Sequence, residues 1–271
     1  MHKKNEAVLL LNAILFSDIY LHTEDNDTVW DLILNKCKEI QKDKSKYYIG
    51  KPCIPKGAPF ILGDSPNMPS GLPDIIYEDD TFVLGIEHFQ FDASGISKKG
   101  SKMMRAEVTA NNKTTEISEN SSKRPLYIEV LVDTVFSYER YLKSLITSFT
   151  AHARNIPKYL SELSKKYPNK KIYLAFYIED KTALGNYIKT DRGIEPMCPL
   201  CINEFINELK INNDLTYILV RIQDNYHYNL HIQCINEEFI ESLYKEAYEM
   251  KKDQYCTYNY KIASNIYSLS D

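Results

Sequence analysis

Two acidic residues, Asp74 and Glu87, lie in a stretch whose side chains predict a pair of adjacent strands. Asp74 opens the run Asp-Ile-Ile-Tyr, and Glu87 lies in the segment from Thr81 to Phe91, which is rich in β-branched and aromatic residues. The acidic residues at 78–80 between these segments favour a turn. Because opposing side chains on antiparallel strands lie about 4.5–5.5 Å apart, we expect the two carboxylates to share one divalent cation. Carboxylate oxygens are ligands that suit Mg²⁺ and Mn²⁺.

This pair of acids resembles the core motif of the PD-(D/E)XK nuclease superfamily. In that motif the first acid follows a proline, and the second acid stands on the next strand, two residues before a lysine. Pro73-Asp74 matches the first half and Glu87 matches the second, whereas Phe89 stands where the lysine should be. The resemblance implies an α/β fold with a restriction-endonuclease-like αβββαβ core.

The resemblance also implies a reaction, the hydrolysis of phosphodiester bonds in a nucleic acid by a metal-activated water. Asp74 and Glu87 would be ligands of Mg²⁺ or Mn²⁺, and His88 would add its backbone carbonyl as a third ligand. The net charge of −4 gives no overall attraction to a polyanion, so nucleic-acid binding would need a local basic patch.

The absent lysine leaves open which residue orients the water and offsets the phosphate charge. Gln90 is one candidate, although strand alternation places it on the face opposite Glu87. The other candidates are three lysines of the following loop, Lys98, Lys99 and Lys102. If none of these residues serves, the chain is a catalytically inactive nuclease fold that works as a binding or interaction module.

A long apolar-faced segment after the hairpin carries further candidates for a cleft. The pattern predicts a helix over residues 137–167, kinked or divided at Pro157. His152, Asn155 and Tyr159 share one face of this helix and are interpreted as substrate contacts or, equally, as packing residues. Lys99 is a further candidate for substrate binding.

A second metal pattern consists of Cys198 and Cys201, followed by His227 and His231. The spacings C-x2-C and H-x3-H are compatible with tetrahedral zinc, but the long interval between the two halves makes Zn²⁺ the less favoured ion. Core thiols are the alternative interpretation.

The composition is that of an ordinary globular protein, with 44% hydrophobic and 26% charged residues in 271. No apolar run is long enough to predict a transmembrane helix or a secretory signal, so no membrane partner is expected. Six sparse cysteines are interpreted as reduced thiols of a cytoplasmic protein. The oligomeric state is not predicted.

The remaining patterns predict one α/β domain over residues 1–271, with a core at about 1–180, a polar insertion at 93–124 and an extension at 181–271. Helices are expected at 5–21 and 29–41, packed as a hairpin, with strands at 126–135 and 171–178. The extension is expected to contain a helix at 201–210, a β-hairpin at 216–235 and a last helix at 237–252.

Overall fold

The computed structural model describes residues 6–22, 27–42, 60–62, 71–93, 126–131, 138–182, 186–190, 193–224, 227–247, 255–257 and 261–266 of the chain. In chain order its elements are α1 (Glu6–Phe16), β1 (Asp18–His22), α2 (Asp27–Lys42), β2 (Phe60–Leu62), β3 (Ile75–Glu78), β4 (Phe82–Phe91), β5 (Leu126–Leu131), α3 (Tyr138–Ala153), α4 (Ile156–Lys166), β6 (Lys171–Asp180), β7 (Asn186–Thr190), β8 (Gly193–Pro196), a 3-10 helix (Pro199–Cys201), α5 (Asn203–Ile211), β9 (Tyr217–Asp224), β10 (His227–Cys234), α6 (Glu237–Glu246), β11 (Tyr255–Thr257) and β12 (Lys261–Ile266). The chain divides into two compact units, the first containing residues 1–90, 146–180 and 198–249 and the second containing the remainder. The expectation of a single domain stays a prediction.

The first unit is built on a seven-stranded mixed sheet with the strand order β1-β10-β9-β6-β4-β3-β2. Antiparallel pairing joins β2 to β3, β3 to β4 and β9 to β10. Parallel pairing joins β1 to β10 and β6 to β9. A mixed sheet combined with helices confirms the predicted α/β class.

Apolar side chains cover both faces of this sheet, which explains why β4 and β6 read as nearly continuous apolar runs. On one face α1 and α2 pack over the strands, and Trp30 of α2 contacts Tyr217 edge to face with ring centroids 5.9 Å apart. On the other face Phe149 of α3 packs against Phe176 of β6 and Phe205 of α5. Each such fully buried side chain contributes about 1.5–3 kcal/mol.

Gly85 lets α4 approach β4 closely. A Cβ at this position would lie 2.8 Å from both Leu163 Cδ1 and Pro73 Cγ, closer than packed carbon atoms approach one another. We therefore expect Gly85→Ala to lower the free energy of unfolding by about 1–3 kcal/mol through overpacking. Denaturant titration measures this loss. Combining Gly85→Ala with Leu163→Ala should give a loss smaller than the sum of the two single losses, and strict additivity would contradict the proposed clash.

Two buried groups on the α1/α2 face lose protons only at high pH. Burial raises the pKa of the Cys37 thiol from 9.0 to about 12, and burial together with the charges of Asp79 and Cys37 raises the pKa of Tyr77 from 10.0 to about 12. Because both folded-state values lie above the unfolded ones, the stability that these groups contribute is complete below pH 9 and declines as the pH rises toward 12.

We expect the free energy of unfolding to fall above pH 9 by up to about 1.4 kcal/mol per pH unit for each group. Replacing the thiol in Cys37→Val should make the decline between pH 9 and 10 shallower, because Tyr77 begins to contribute only above 10.0 and the thiol of Cys198, whose pKa is also raised, stays in place. Denaturant titrations at stepped pH measure both curves. Identical slopes in parent and variant would show that Cys37 does not titrate in this way.

The second unit contains two small sheets. β5 pairs antiparallel with β12, and β7 lies between β11 and β8 with antiparallel pairing on both sides. Within this unit the ring of Phe91 meets Tyr141 edge to face, at 5.2 Å between centroids. β7, β8, β11 and β12 were not predicted from the sequence.

Three predicted elements differ from the structure. The first helix ends at Phe16 instead of continuing to Leu21, because residues 18–22 form β1 and pair with β10. The expected two-helix hairpin is therefore interrupted by a strand. The predicted third core strand near Leu126 is β5, which pairs with β12 outside the seven-stranded sheet.

Other predictions are confirmed. The long helix is divided into α3 and α4 at residues 154–155, just before Pro157. The strand at 171–178, the helix at 201–210, the β-hairpin near 216–235 and the helix that follows it are β6, α5, β9 with β10, and α6. The polar insertion lies almost entirely outside the described residues.

Candidate functional site

The β3–β4 hairpin places Asp74 and Glu87 opposite each other. Ile75 pairs with Ile86, so the next position of the same antiparallel register joins Asp74 to Glu87. The backbone N–H of His88 donates a hydrogen bond to Asp74 Oδ2 at 3.1 Å. The hairpin thus brings the two predicted metal ligands together and orients the first of them.

Glu87 is a buried carboxylate, 5% exposed, with two side-chain partners from the helices above it. The His152 ring nitrogen Nδ1, at the end of α3, lies 2.7 Å from Glu87 Oε1. The Tyr159 hydroxyl, on α4, also hydrogen-bonds Glu87. These contacts compensate the cost of burying the carboxylate.

Tyr159 keeps its proton beside Glu87. Burial, the negative charge of Glu87 and the hydrogen bond to it raise the pKa of Tyr159 well above its usual range, and the charge of Asp74 adds to this shift. A hydrogen bond with Asn155 acts weakly in the opposite direction. Tyr159 is therefore a hydrogen-bond donor to the carboxylate. Of the predicted helix face, His152 and Tyr159 contact Glu87, and Asn155 contacts Tyr159.

Phe89, at the position of the motif lysine, lies on the same face of β4 as Glu87. Its ring stacks on the His152 ring with centroids 4.6 Å apart and an interplanar angle of 13°. Phe149 and Phe176 surround its other sides. At the position where the motif has a lysine, the chain therefore has an aromatic ring, which packs against the imidazole of His152.

Gln90 lies on the opposite face of β4, away from Glu87. Its amide Nε2 donates to Glu179 Oε2 at 2.7 Å. The same carboxylate oxygen lies 3.3 Å from His88 Nε2, and the His88 ring stacks on Tyr177. The structure therefore does not bring Gln90 to the acids, and the His88 side chain likewise points away from them.

Glu179 is the centre of a second polar cluster that was not predicted from the sequence. It is 1% exposed, and its Oε1 accepts hydrogen bonds from Tyr177 OH at 2.8 Å and Arg221 Nη1 at 2.9 Å. Burial and the charge of Glu179 raise the pKa of Tyr177 well above its usual range. The sequence feature that indicates this cluster is Arg221, a lone cation inside the apolar run of β9. A buried charge requires a partner of opposite charge.

The lysines predicted to approach the acids, Lys98, Lys99 and Lys102, lie outside the described residues. In the part of the chain that the structure describes, no group of three or more His, Cys, Asp or Glu side chains is arranged to hold a metal ion. Within the described residues, a site at Asp74 and Glu87 would therefore draw its further ligands from backbone carbonyls or water.

The described side chains of the zinc pattern, those of Cys198, Cys201 and His231, do not form a metal-binding group. Cys198 precedes the short 3-10 helix and Cys201 ends it, and a hydrogen bond between their thiols, together with burial, raises the pKa of Cys198 well above its usual value. His231 stacks on Tyr20 of β1 with centroids 5.0 Å apart. The side chain of His227 lies outside the description. Zinc binding at these residues stays a prediction.

Comparison with known proteins found no match: no family model, no curated protein and no solved structure matches this chain. Among the described helices, none has the length and apolar character needed to cross a membrane. The cytoplasmic location stays a prediction.

Proposed function

We propose that this protein is a divalent-metal-dependent phosphodiesterase of the PD-(D/E)XK type that acts on a nucleic acid. The observation that carries the proposal is the placement of Asp74, directly before β3, opposite Glu87 of β4, with Asp74 held by the His88 N–H. These are the residues of the sequence motif, and the motif predicted their proximity.

The order of elements supports the same proposal. Three consecutive strands, β2, β3 and β4, lie side by side, α3 and α4 follow in the chain, and β6 returns beside β4. With α2 before them, and with β5 inserted between β4 and α3, this order is similar to the αβββαβ order that the resemblance implies. In this order β2, the first of the three strands, takes the place of the core strand that was predicted at residues 126–135.

The donor atoms at the site fit a hard cation. Asp74 and Glu87 supply carboxylate oxygens, and the backbone carbonyl of His88 is the proposed third protein ligand, with water completing the set. A bound Mg²⁺ or Mn²⁺ would activate a water molecule and offset the charge that builds on the phosphate. The Glu87 carboxylate is buried, and a bound cation would stabilise its ionised form.

The surrounding residues of the chain hold these ligands in place. Tyr159 and His152 fix the Glu87 carboxylate, and the His88 N–H fixes Asp74. In the proposed reaction a water oxygen bonds to phosphorus as the bond from phosphorus to the leaving oxygen breaks. The leaving oxygen gains a proton, and the products are a phosphomonoester and an alcohol.

Cleavage of supercoiled plasmid and of a single-stranded oligonucleotide tests this proposal. We expect cleavage with Mn²⁺ or Mg²⁺, none with excess chelator, and recovery when Mn²⁺ is restored. Asp74→Asn should abolish cleavage, whereas Asp80→Asn, an exposed acid in the turn of the same hairpin, should leave it unchanged. Cleavage that persists in chelator or in Asp74→Asn would overturn the proposal.

One observation favours a second function, a binding module without catalysis. Phe89 occupies the motif position of the lysine and is 4% exposed. A chain that binds Mn²⁺ and oligonucleotide yet cleaves neither substrate would support this alternative.

A further inference from the structure

We infer that His152 takes the place of the missing motif lysine, with its imidazole orienting the attacking water and the phosphate beside Glu87. This inference rests on the proposed phosphodiesterase function and assigns a further residue to the same site. His152 lies 65 positions from Glu87 in the chain, so no local motif contains it.

His152 lies next to the position that the lysine holds in the motif. Glu87 and Phe89 project from the same face of β4, because side chains alternate along a strand. The imidazole of His152 covers the ring of Phe89 at 4.6 Å and contacts Glu87 Oε1 at 2.7 Å. It therefore lies beside the acid and above the side chain at the motif's lysine position.

His152 is also accessible from solvent. The side chain of His152 is 32% exposed, against 7% for that of Glu87. Phe89 below the imidazole is buried. Of these three groups His152 alone reaches solvent to a substantial extent, so it is the one that a phosphate arriving from solution would meet.

The two ring nitrogens of His152 have different surroundings. Nδ1 faces the Glu87 carboxylate, which orients the ring. Nε2 is on the other side of the imidazole and remains for a water or a phosphate oxygen. The stack on Phe89 restricts rotation of the ring, so Nε2 points in one direction before a substrate arrives.

Among the described residues, the competing candidates are less well placed. Gln90 is engaged by Glu179 on the opposite face of the sheet. Lys158 of α4 is exposed, and its side chain lies against the backbone of Gly71 at the entry to the hairpin. It serves as a control cation near the site.

Two substitutions separate a lysine-like role from packing. His152→Phe keeps an aromatic ring to stack on Phe89 but removes both nitrogens, whereas His152→Lys restores an amine and loses the stack. We expect His152→Phe to lower Mn²⁺-dependent cleavage of the oligonucleotide by about 10²–10³-fold, the usual cost of removing one preorganised donor. His152→Lys should stay within about tenfold of the parent chain, and Lys158→Ala should match the parent.

Calorimetry with Mn²⁺ alone keeps the two proposals distinguishable. We expect His152→Phe and His152→Lys to bind Mn²⁺ as the parent does, because neither substitution removes a proposed ligand. Full cleavage by His152→Phe, a loss in His152→Lys as large as in His152→Phe, or a comparable loss in Lys158→Ala would overturn the inference and leave the metal site intact. A parent chain that neither binds Mn²⁺ nor cleaves would overturn the proposed function and this inference together.

Discussion

Glu87→Gln should abolish metal-dependent cleavage, with a rate at least about 10³-fold below the parent, because the metal supplies several kcal/mol of transition-state stabilisation. The amide has nearly the shape of the carboxylate, and its oxygen still accepts hydrogen bonds from His152 and Tyr159. What the substitution removes is the negative charge that the cation needs. Cleavage of the oligonucleotide at saturating Mn²⁺ measures the loss.

Glu78→Gln is the matched control, since it makes the same chemical change in the same hairpin. Glu78 pairs with Lys170 at 2.7 Å on the exposed side, and an ion pair of this kind contributes little. We expect its cleavage rate to equal that of the parent. A rate for Glu87→Gln within tenfold of the control would mean that Glu87 is not a ligand.

Arg221→Met should lower the free energy of unfolding by about 3–5 kcal/mol, the typical cost of removing one partner from a buried ion pair. Glu179, 1% exposed, would keep hydrogen bonds from Tyr177 and Gln90 but lose the cation that neutralises it. A loss of this size is a large part of the stability of an ordinary domain, about 5–15 kcal/mol. Denaturant titration measures it.

Lys165→Met provides the comparison for this prediction. Lys165 lies 2.7 Å from Glu162, a shorter contact than the 2.9 Å between Arg221 and Glu179, but its side chain is 68% exposed. We expect a change of about 0–1 kcal/mol. If the two substitutions cost the same, burial of the Glu179–Arg221 pair has no energetic consequence and our description of this cluster is wrong.

Local features of the sequence predicted the parts of the fold that depend on short-range pairing. The β3–β4 hairpin was predicted because its turn and both strands lie within residues 74–91, and its register then placed Asp74 at Glu87. The break between α3 and α4 followed from Pro157, which cannot donate a backbone hydrogen bond.

Distant pairing accounts for the predictions that failed. Residues 18–22 continue the apolar pattern of α1, and only their pairing with residues 229–233 makes them a strand. β5 has an ordinary strand sequence, and its partner β12 lies more than a hundred residues later. No periodicity within a short window contains this information.

The candidate site likewise combines a contact within one hairpin, which was predicted, with contacts between distant segments, which were not. Asp74 and Glu87 are joined by one hairpin, whereas His152 reaches Glu87 across 65 residues of sequence and was identified only as part of a helix face. Glu179 and Arg221 are cross-strand partners in the parallel pair of β6 and β9, which the sequence separates by 42 residues. In the sequence, that contact is indicated only by a carboxylate and a guanidinium within two apolar runs.

Calorimetric titration with Mn²⁺ tests the central claim most directly, because it needs no knowledge of the substrate. The parent chain should bind Mn²⁺, and the double variant Asp74→Asn, Glu87→Gln should lose that binding while unfolding at the temperature of the parent. Equal binding by both proteins, or none by the parent, would contradict a metal site at the two acids.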